Sequence, residues 1–301
     1  VLLVLVALLL WMEHRAQRRL RFAATRSGAV HAAEARPILL TGRHAVLAVA
    51  VCALPVLLGF VLPVAVLLRL VWLEAANAEF GLPLARFAQW SWTSFKLAAA
   101  AALLATVTAL ALGFALRLRE NAALRAAARV VSLGYAVPGA VIAVGILLPV
   151  GWLQQAFPQA GTTALVTGTA VGLLYAYLVR FCAVALQSVE AGYARVPRSL
   201  DETARLLGAS GQRLFAELHA PLLRRAGIAA MLLVFVDVMK ELPATLVLRP
   251  FNSDTLAVVA YQLARDERRG EAALPALAIV AVGLIPVLLL SRSLRPDAAR
   301  Q

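Results

Sequence analysis

The chain has 301 residues, 62% of them apolar, with a mean hydropathy of +0.82 and only 15% charged residues, where ordinary soluble domains carry roughly 25%. Its 29 basic and 16 acidic side chains leave a net charge of +13, and every base except Lys96 and Lys240 is an arginine. The bases are scattered between apolar runs rather than gathered on one soluble face, which argues against nucleic acid, and the composition as a whole is that of a membrane protein.

Residues 1–12, VLLVLVALLLWM, are apolar but too short to cross a bilayer. The bases Arg15, Arg18, Arg19 and Arg21 follow this run, whereas in a secretory signal they would precede it, so the segment is read as the tail of a transmembrane helix cut off upstream. Residues 13–43 are read as a linker. Six stretches then reach the roughly 20 apolar residues that a core of about 30 Å requires: 45–70, 94–116, 130–152, 164–187, 227–248 and 272–291. Lipid offers exposed backbone no hydrogen-bond partner, and these runs are too long for barrel strands, so they are expected to be helices in an all-α polytopic bundle.

Arginine placement orients the bundle. Bases crowd 13–43, 117–129, 187–226 and the C-terminus, while 153–163 has none, so those four regions are expected to face the cytoplasm. Trp90 and Trp92, just ahead of the second span, read as interfacial anchors. Cys52 and Cys182 fall inside spans with no redox or metal spacing, and His14, His31, His44 and His219 are far apart, so no metal or cofactor is expected. Pro138 and Gly139 suggest either a kink shaping a pathway or plain packing, and Gly145, Gly168 and Gly172 suggest close helix approach.

A polar island, DETARLLGASGQRLFAELHAPLL, fills 201–223. Pro197 breaks the preceding helix, and Ser199 with Glu202 has capping-box spacing, which predicts a short helix from 200. Leu200, Ala204 and Leu207 would form its apolar stripe, with Asp201, Glu202 and Arg205 pointing elsewhere. Gly208 suits a helix C-cap, a second amphipathic helix is expected from 212 with Leu214, Phe215 and Leu218 on its apolar side, and Pro221 enters the next span. Physics alone leaves two readings, a linker lying on lipid headgroups or a plug for a partner's groove.

Charges inside spans are costly, at least about 2.5–3.5 kcal/mol each, and therefore informative. Arg180 lies within 164–187, and Asp237, Lys240 and Glu241 lie within 227–248 at a spacing expected to share one face. Lys240 neutralised by Asp237 or Glu241 would either brace the bundle or gate a pathway, and Pro243 is expected to kink that helix nearby. The run Asp266, Glu267, Arg268, Arg269 reads as a solvated outer face or a docking rim.

Residues 202–221 read E-T-A-x3-G-x9-L-x-A-P. This resembles the EAA loop of ABC importer permeases, E-A-A-x3-G-x9-I-x-L-P; Glu202, Ala204, Gly208 and Pro221 match, while Thr203, Leu218 and Ala220 depart. Further stretches, YAVPGAVIAVGIL (135–147), YLVRFCAVAL (177–186), FVDVMKELPATLVLRPFNSDTLA (235–257) and ALPALAIVAVGLIPVLLLS (273–291), are similar to the second half of binding-protein-dependent ferric iron permeases, as is LTGRHAVLAVAVCALPVLLGFVLPV (40–64). The resemblance implies a MetI-like permease domain over 44–301, six spans plus the upstream tail, with the coupling loop at 190–223. It implies that Glu202, Thr203, Ala204, Gly208, Leu218 and Pro221 engage a cytoplasmic ABC ATPase dimer. A periplasmic substrate-binding protein and a second permease half, in the same longer chain or as a dimer partner, are the other implied partners beside membrane lipid.

No G-x4-G-K-[ST] loop is present, so hydrolysis is expected in a partner and no catalytic residue in this chain. Arg180, Asp237, Lys240, Glu241 and Pro243 are the expected pathway or gate residues. The expected cargo is ferric iron, with thiamine, phosphonate or polyamine as alternatives and a secondary transporter as the rival class. Fe³⁺ wants oxygen ligands and the outer loops hold no closed carboxylate or tyrosine set, so selection is expected to reside in the binding protein and the chain to supply a passage. The expected location is the bacterial inner membrane.

Overall fold

The computed structural model describes residue 12 and residues 40–77, 82–119 and 121–293. Apart from Met12 and residues 40–43, the expected upstream tail and linker lie outside the described residues. The chain divides into two compact units, Val1–Pro63 and Val64–Gln301.

In the first unit α1 (Gly42–Val56) passes into a π-helical turn, Leu57–Val61, without a buried residue in either. The second unit holds the core. After α2 (Leu62–Asn77), the elements are α3 (Leu84–Leu118), α4 (Ala122–Leu133), α5 (Gly139–Ala156), α6 (Thr162–Gly168) and α7 (Val171–Tyr193). Then come α8 (Arg198–Leu206), α9 (Gly211–Arg213) running through a π segment, Leu214–His219, into α10 (Ala220–Met239), and α11 (Pro243–Leu248), α12 (Leu256–Arg265) and α13 (Arg269–Ser293). Every regular element among the described residues is helical, as lipid demands.

Helices α3, α7 and α10 pack on one another as the centre. The reason is legible on α3, where Ala98, Ala101, Ala102, Ala105 and Ala109 recur at helical spacing and are all but fully buried. Small residues let backbones approach closely. Gly113 continues that stripe, since a methyl there would stand 2.9 Å from Val189 Cγ1. Around this trio α5 packs on α7 and α11, α13 on α10 and α12, and α12 on α3.

Of the six expected spans, 45–70, 94–116 and 272–291 each fall within one continuous helical run, whereas 130–152, 164–187 and 227–248 are interrupted. Among the described residues five helices are long and apolar enough to cross a membrane: Gly42–Asn77, Leu84–Leu118, Gly139–Ala156, Val171–Tyr193 and Arg269–Leu289. The expected 130–152 span is broken by a 3₁₀ turn at Gly134–Ala136, and 164–187 is broken at residues 169–170. The stretch 227–248 does not kink at Pro243; it ends at Met239 and restarts at Pro243, whose fixed φ and missing N–H suit the first turn of a new helix. Trp90 and Trp92 lie inside α3, which starts ten residues ahead of the expected 94.

Of the expected close-approach glycines, Gly172 sits against the Val166 carbonyl, whereas Gly145 and Gly168 have open space where a side chain would go. The tightest approach belongs to Gly134, packed against the Val179 carbonyl of α7.

Ser94 on α3 accepts a hydrogen bond from the Leu256 backbone N–H at 2.8 Å, and both residues are buried. Ser94→Ala would leave that N–H unpaired, so thermal unfolding in detergent should show a loss of about 1–3 kcal/mol.

Candidate functional site

Two polar constellations stand out, one at the end of the bundle that carries α8 and one near the middle of α7.

At the first, α8 starts after Pro197 with no side-chain cap, so Ser199 and Glu202 form no capping box. Ser199 lies inside the helix and its carbonyl accepts from Thr203 Oγ1 at 2.9 Å. The helix ends in a Schellman turn: Gly208 has φ +82°, its N–H donates to the Arg205 carbonyl, and Ala209 N–H donates to the Ala204 carbonyl. Ser210 then caps α9 by accepting from the Arg213 N–H.

On α8 the expected stripe of Leu200, Ala204 and Leu207 is not buried against the bundle, and Glu202 and Arg205 are exposed as well. Asp201 is the buried residue, while Leu200, Leu206 and Leu207 are exposed, the last two at 88% and 83%. An ion pair holds Asp201 inward, and the leucines face out, as both readings of the island require. Arg117, in the last turn of α3, donates from Nε to Asp201 Oδ2 at 2.6 Å and from Nη2 to the Val196 carbonyl at 2.9 Å. Its guanidinium lies 5.8 Å from the Tyr193 ring centroid.

His219, fully buried, brings its Nε2 to 3.4 Å from Asp201 Oδ1, its ring between Phe114 and Tyr193. Burial pushes its pKa below the usual histidine value, against the pull of Asp201, and Arg117 and Arg205 add to the lowering, so the imidazole is neutral near pH 7. The π turn carries Leu214 and His219, its two buried residues, on the inward side. Among the expected coupling residues, Glu202, Thr203 and Pro221 are exposed, Ala204 and Leu218 half-buried, and Gly208 forms the turn. Arg117, Asp201 and His219 were not singled out from sequence. The available signal was an acid beside Glu202 facing an arginine at a helix end.

The second constellation forms where two interrupted helices meet α7. Arg180 Nη1 lies 3.2 Å from Glu241 Oε2, and Glu241, 5% exposed, also accepts the Ala244 N–H at 3.0 Å, capping α11. Thr245 Oγ1 donates to the Glu241 carbonyl at 2.8 Å and lies 2.7 Å from the Tyr177 hydroxyl. Gly139 opens α5 directly against this pair, where a methyl would meet Glu241 Oε1 and lie 2.5 Å from Arg180 Nη1. The breaks at Gly134–Ala136 and at residues 240–242 therefore converge on one buried ion pair.

The expected shared face of Asp237, Lys240 and Glu241 is not observed. Asp237 pairs with Lys240 at 2.8 Å, as their i,i+3 spacing leads one to expect, with Lys240 58% exposed, but the helix stops before Lys240 and Glu241 turns inward to Arg180. Among the described residues no group of three or more His, Cys, Asp or Glu is arranged to hold a metal ion. At the opposite end from α8, Asp266, Glu267, Arg268 and Arg269 are exposed, with Arg268 paired to Glu271.

Residues 109–299 match the family described as "Binding-protein-dependent transport system inner membrane component". Among curated relatives, a "Fe(3+)-transport system permease protein FbpB 2" of Haemophilus influenzae is 26% identical over 159 residues, covering 52% of this chain and 29% of the relative. The match thus spans less than a third of that relative's length. Two solved structures share the fold at 12% identity. One is a bacterial alginate ABC transporter in complex with an alginate pentasaccharide-bound periplasmic protein, with a TM-score of 0.56 over 83% of this chain and 94% of that one. The other is a bacterial ABC transporter involved in import of the acidic polysaccharide alginate, with a TM-score of 0.54 over 84% and 96%.

Proposed function

The chain belongs to the inner-membrane components of binding-protein-dependent transport systems, a multi-pass membrane family, and from that premise we propose that it is the permease of an ATP-driven ferric iron importer. The observation that carries the coupling part is the outward apolar pair of α8. An exposed Leu206–Leu207 pair beside a glycine turn, on a helix pinned from beneath by Asp201, has the form of a plug presented to another protein. An apolar face laid on headgroups would need no such pinning. In this reading a cytoplasmic ATPase dimer receives α8 together with Glu202, Thr203, Ala204, Gly208, Leu218 and Pro221. ATP hydrolysis belongs to that partner, and a periplasmic binding protein delivers cargo to the opposite face, where Asp266–Arg269 offer a charged rim.

The pathway residues play unequal parts. Discontinuous helices at mid-membrane commonly mark transport sites, because unwound backbone is tolerated only where protein or a water-filled cavity surrounds it. Arg180, Glu241 and Pro243 stand at such a junction and form the gate, while Asp237 and Lys240 make a peripheral pair. Closure of the ATPase dimer would move the docked loops together and shift the bundle between inward- and outward-open states. Ferric iron as the cargo rests on the similarity to the Fe(3+)-transport permease. Thiamine, phosphonate and polyamine are the alternatives. Uptake in vesicles separates this class from a gradient-driven carrier, because it should stop when ATP is withheld.

Gly208→Val tests the docking. Open space surrounds Gly208, so the substitution acts only through φ +82°, which costs a β-branched residue about 1–2 kcal/mol and unmakes the turn. The ATPase recovered with the purified chain should fall at least tenfold, and Leu207→Glu, at an exposed position, should do the same. Full recovery of the ATPase with both variants would remove α8 from the interface.

A further inference from the structure

The cluster beneath α8 holds more polar chemistry than an anchor requires. Asp201 is shared: Oδ2 takes the Arg117 guanidinium, while Oδ1 faces His219 Nε2 at 3.4 Å. Among the described residues Asp201 Oδ1 and both ring nitrogens of His219 have no hydrogen-bond partner, although all are buried. Leaving such atoms unpaired is costly, and here the two that face each other are a few tenths of an ångström from a good hydrogen bond. Each belongs to a different rigid element: Asp201 to α8, His219 to the π segment that runs straight into α10, and Arg117 to the end of α3.

We propose that Asp201 is a positioning residue for energy coupling. It is the joint through which displacement of α8 reaches α3 by way of Arg117 and α10 by way of His219. In the arrangement seen here the Arg117 arm is closed and the His219 arm open. A small inward shift of α8 under a docked partner closes the second arm, so that α3 and α10 are drawn together as one body. Arg205 and Tyr193 are the other polar side chains facing the cluster, and Phe114 and Phe215 seal it. The inference rests on the reading of α8 as the ATPase-coupling helix.

The test uses the assembled transporter, with this chain in its complete permease and with its ATPase. Spin labels replace Gln155 and Gln262, both exposed at the far ends of α5 and α12, in a background lacking Cys52 and Cys182. ATP should shift the distance distribution in the parent protein, a readout independent of cargo. In Asp201→Asn and in Arg117→Met the fraction that converts should fall at least fivefold while the bound ATPase still hydrolyses ATP, and the double variant should be no worse than either single. His219→Phe keeps the ion pair and the ring volume but removes the nitrogens, and it should also lower conversion severalfold; it serves if Asp201→Asn does not assemble. Parent-like conversion in His219→Phe, or losses that multiply in the double variant, would overturn the joint. Failure of the parent chain to retain an ATPase would instead remove the coupling reading itself, and this inference with it.

Discussion

Arg180→Met is expected to abolish transport and to destabilise the bundle by about 3–5 kcal/mol, the cost of leaving one partner of a buried ion pair uncompensated. Glu241 is 5% exposed, and without the guanidinium the hydrogen bond left to its carboxylate among the described residues is that from the Ala244 N–H. Glu241→Gln should cost less, because Arg180 is partly exposed and its long side chain can reach polar surroundings, whereas the carboxylate cannot. The informative variant is the double one, Arg180→Met with Glu241→Gln. Removing both charges should restore most of the stability, since a buried pair contributes little net stabilisation over neutral groups of similar volume. If the pair is a gate, transport in vesicles stays lost although thermal unfolding has recovered. Recovery of both together would show a brace and end the gate assignment.

Gly134→Ala should be the most damaging single-methyl change in the membrane part. The added carbon would overlap the Val179 carbonyl oxygen and lie 3.0 Å from its carbonyl carbon. Backbone in the middle of α7 cannot rotate aside as a side-chain tip can, so α4 or α7 must move, at a cost of about 3 kcal/mol or more. Gly145→Ala and Gly168→Ala, made where space is open, are the matched controls and should change the unfolding temperature little or raise it slightly through helix propensity. Equal stability of Gly134→Ala and the controls in detergent would mean that α4 and α7 do not cross in close contact at Gly134.

These expectations separate what sequence periodicity discloses from what only the packed chain reveals. Long apolar runs and the lipid's refusal of bare backbone were enough for an all-α bundle, and the spacing from Glu202 to Pro221 was enough for the turn at Gly208. Helix breaks were harder to read. Lys240 and Glu241 are charged and Pro138 and Pro243 stand just beyond the breaks, but composition does not say where each helix stops, because that is settled by a contact with α7, remote in sequence. The pairing of charges was legible only in part, for a related reason: Asp237 does pair with Lys240, but Glu241 does not join them. Helical spacing joined Asp237, Lys240 and Glu241, but the helix break at residues 240–242 sends the side chains of Lys240 and Glu241 to different partners. On α8 the apolar pattern left its cover open, since amphipathicity says that a face will be covered without saying by what.

The alanine ladder on α3 has a mechanical consequence. Alanine has no side-chain torsion to adjust, so the seam joining α3 to α7 and α10 lacks the slack with which larger residues absorb a push by changing rotamer. A force arriving at the Arg117 end is therefore delivered, rather than dissipated, along a 35-residue rod about 50 Å long.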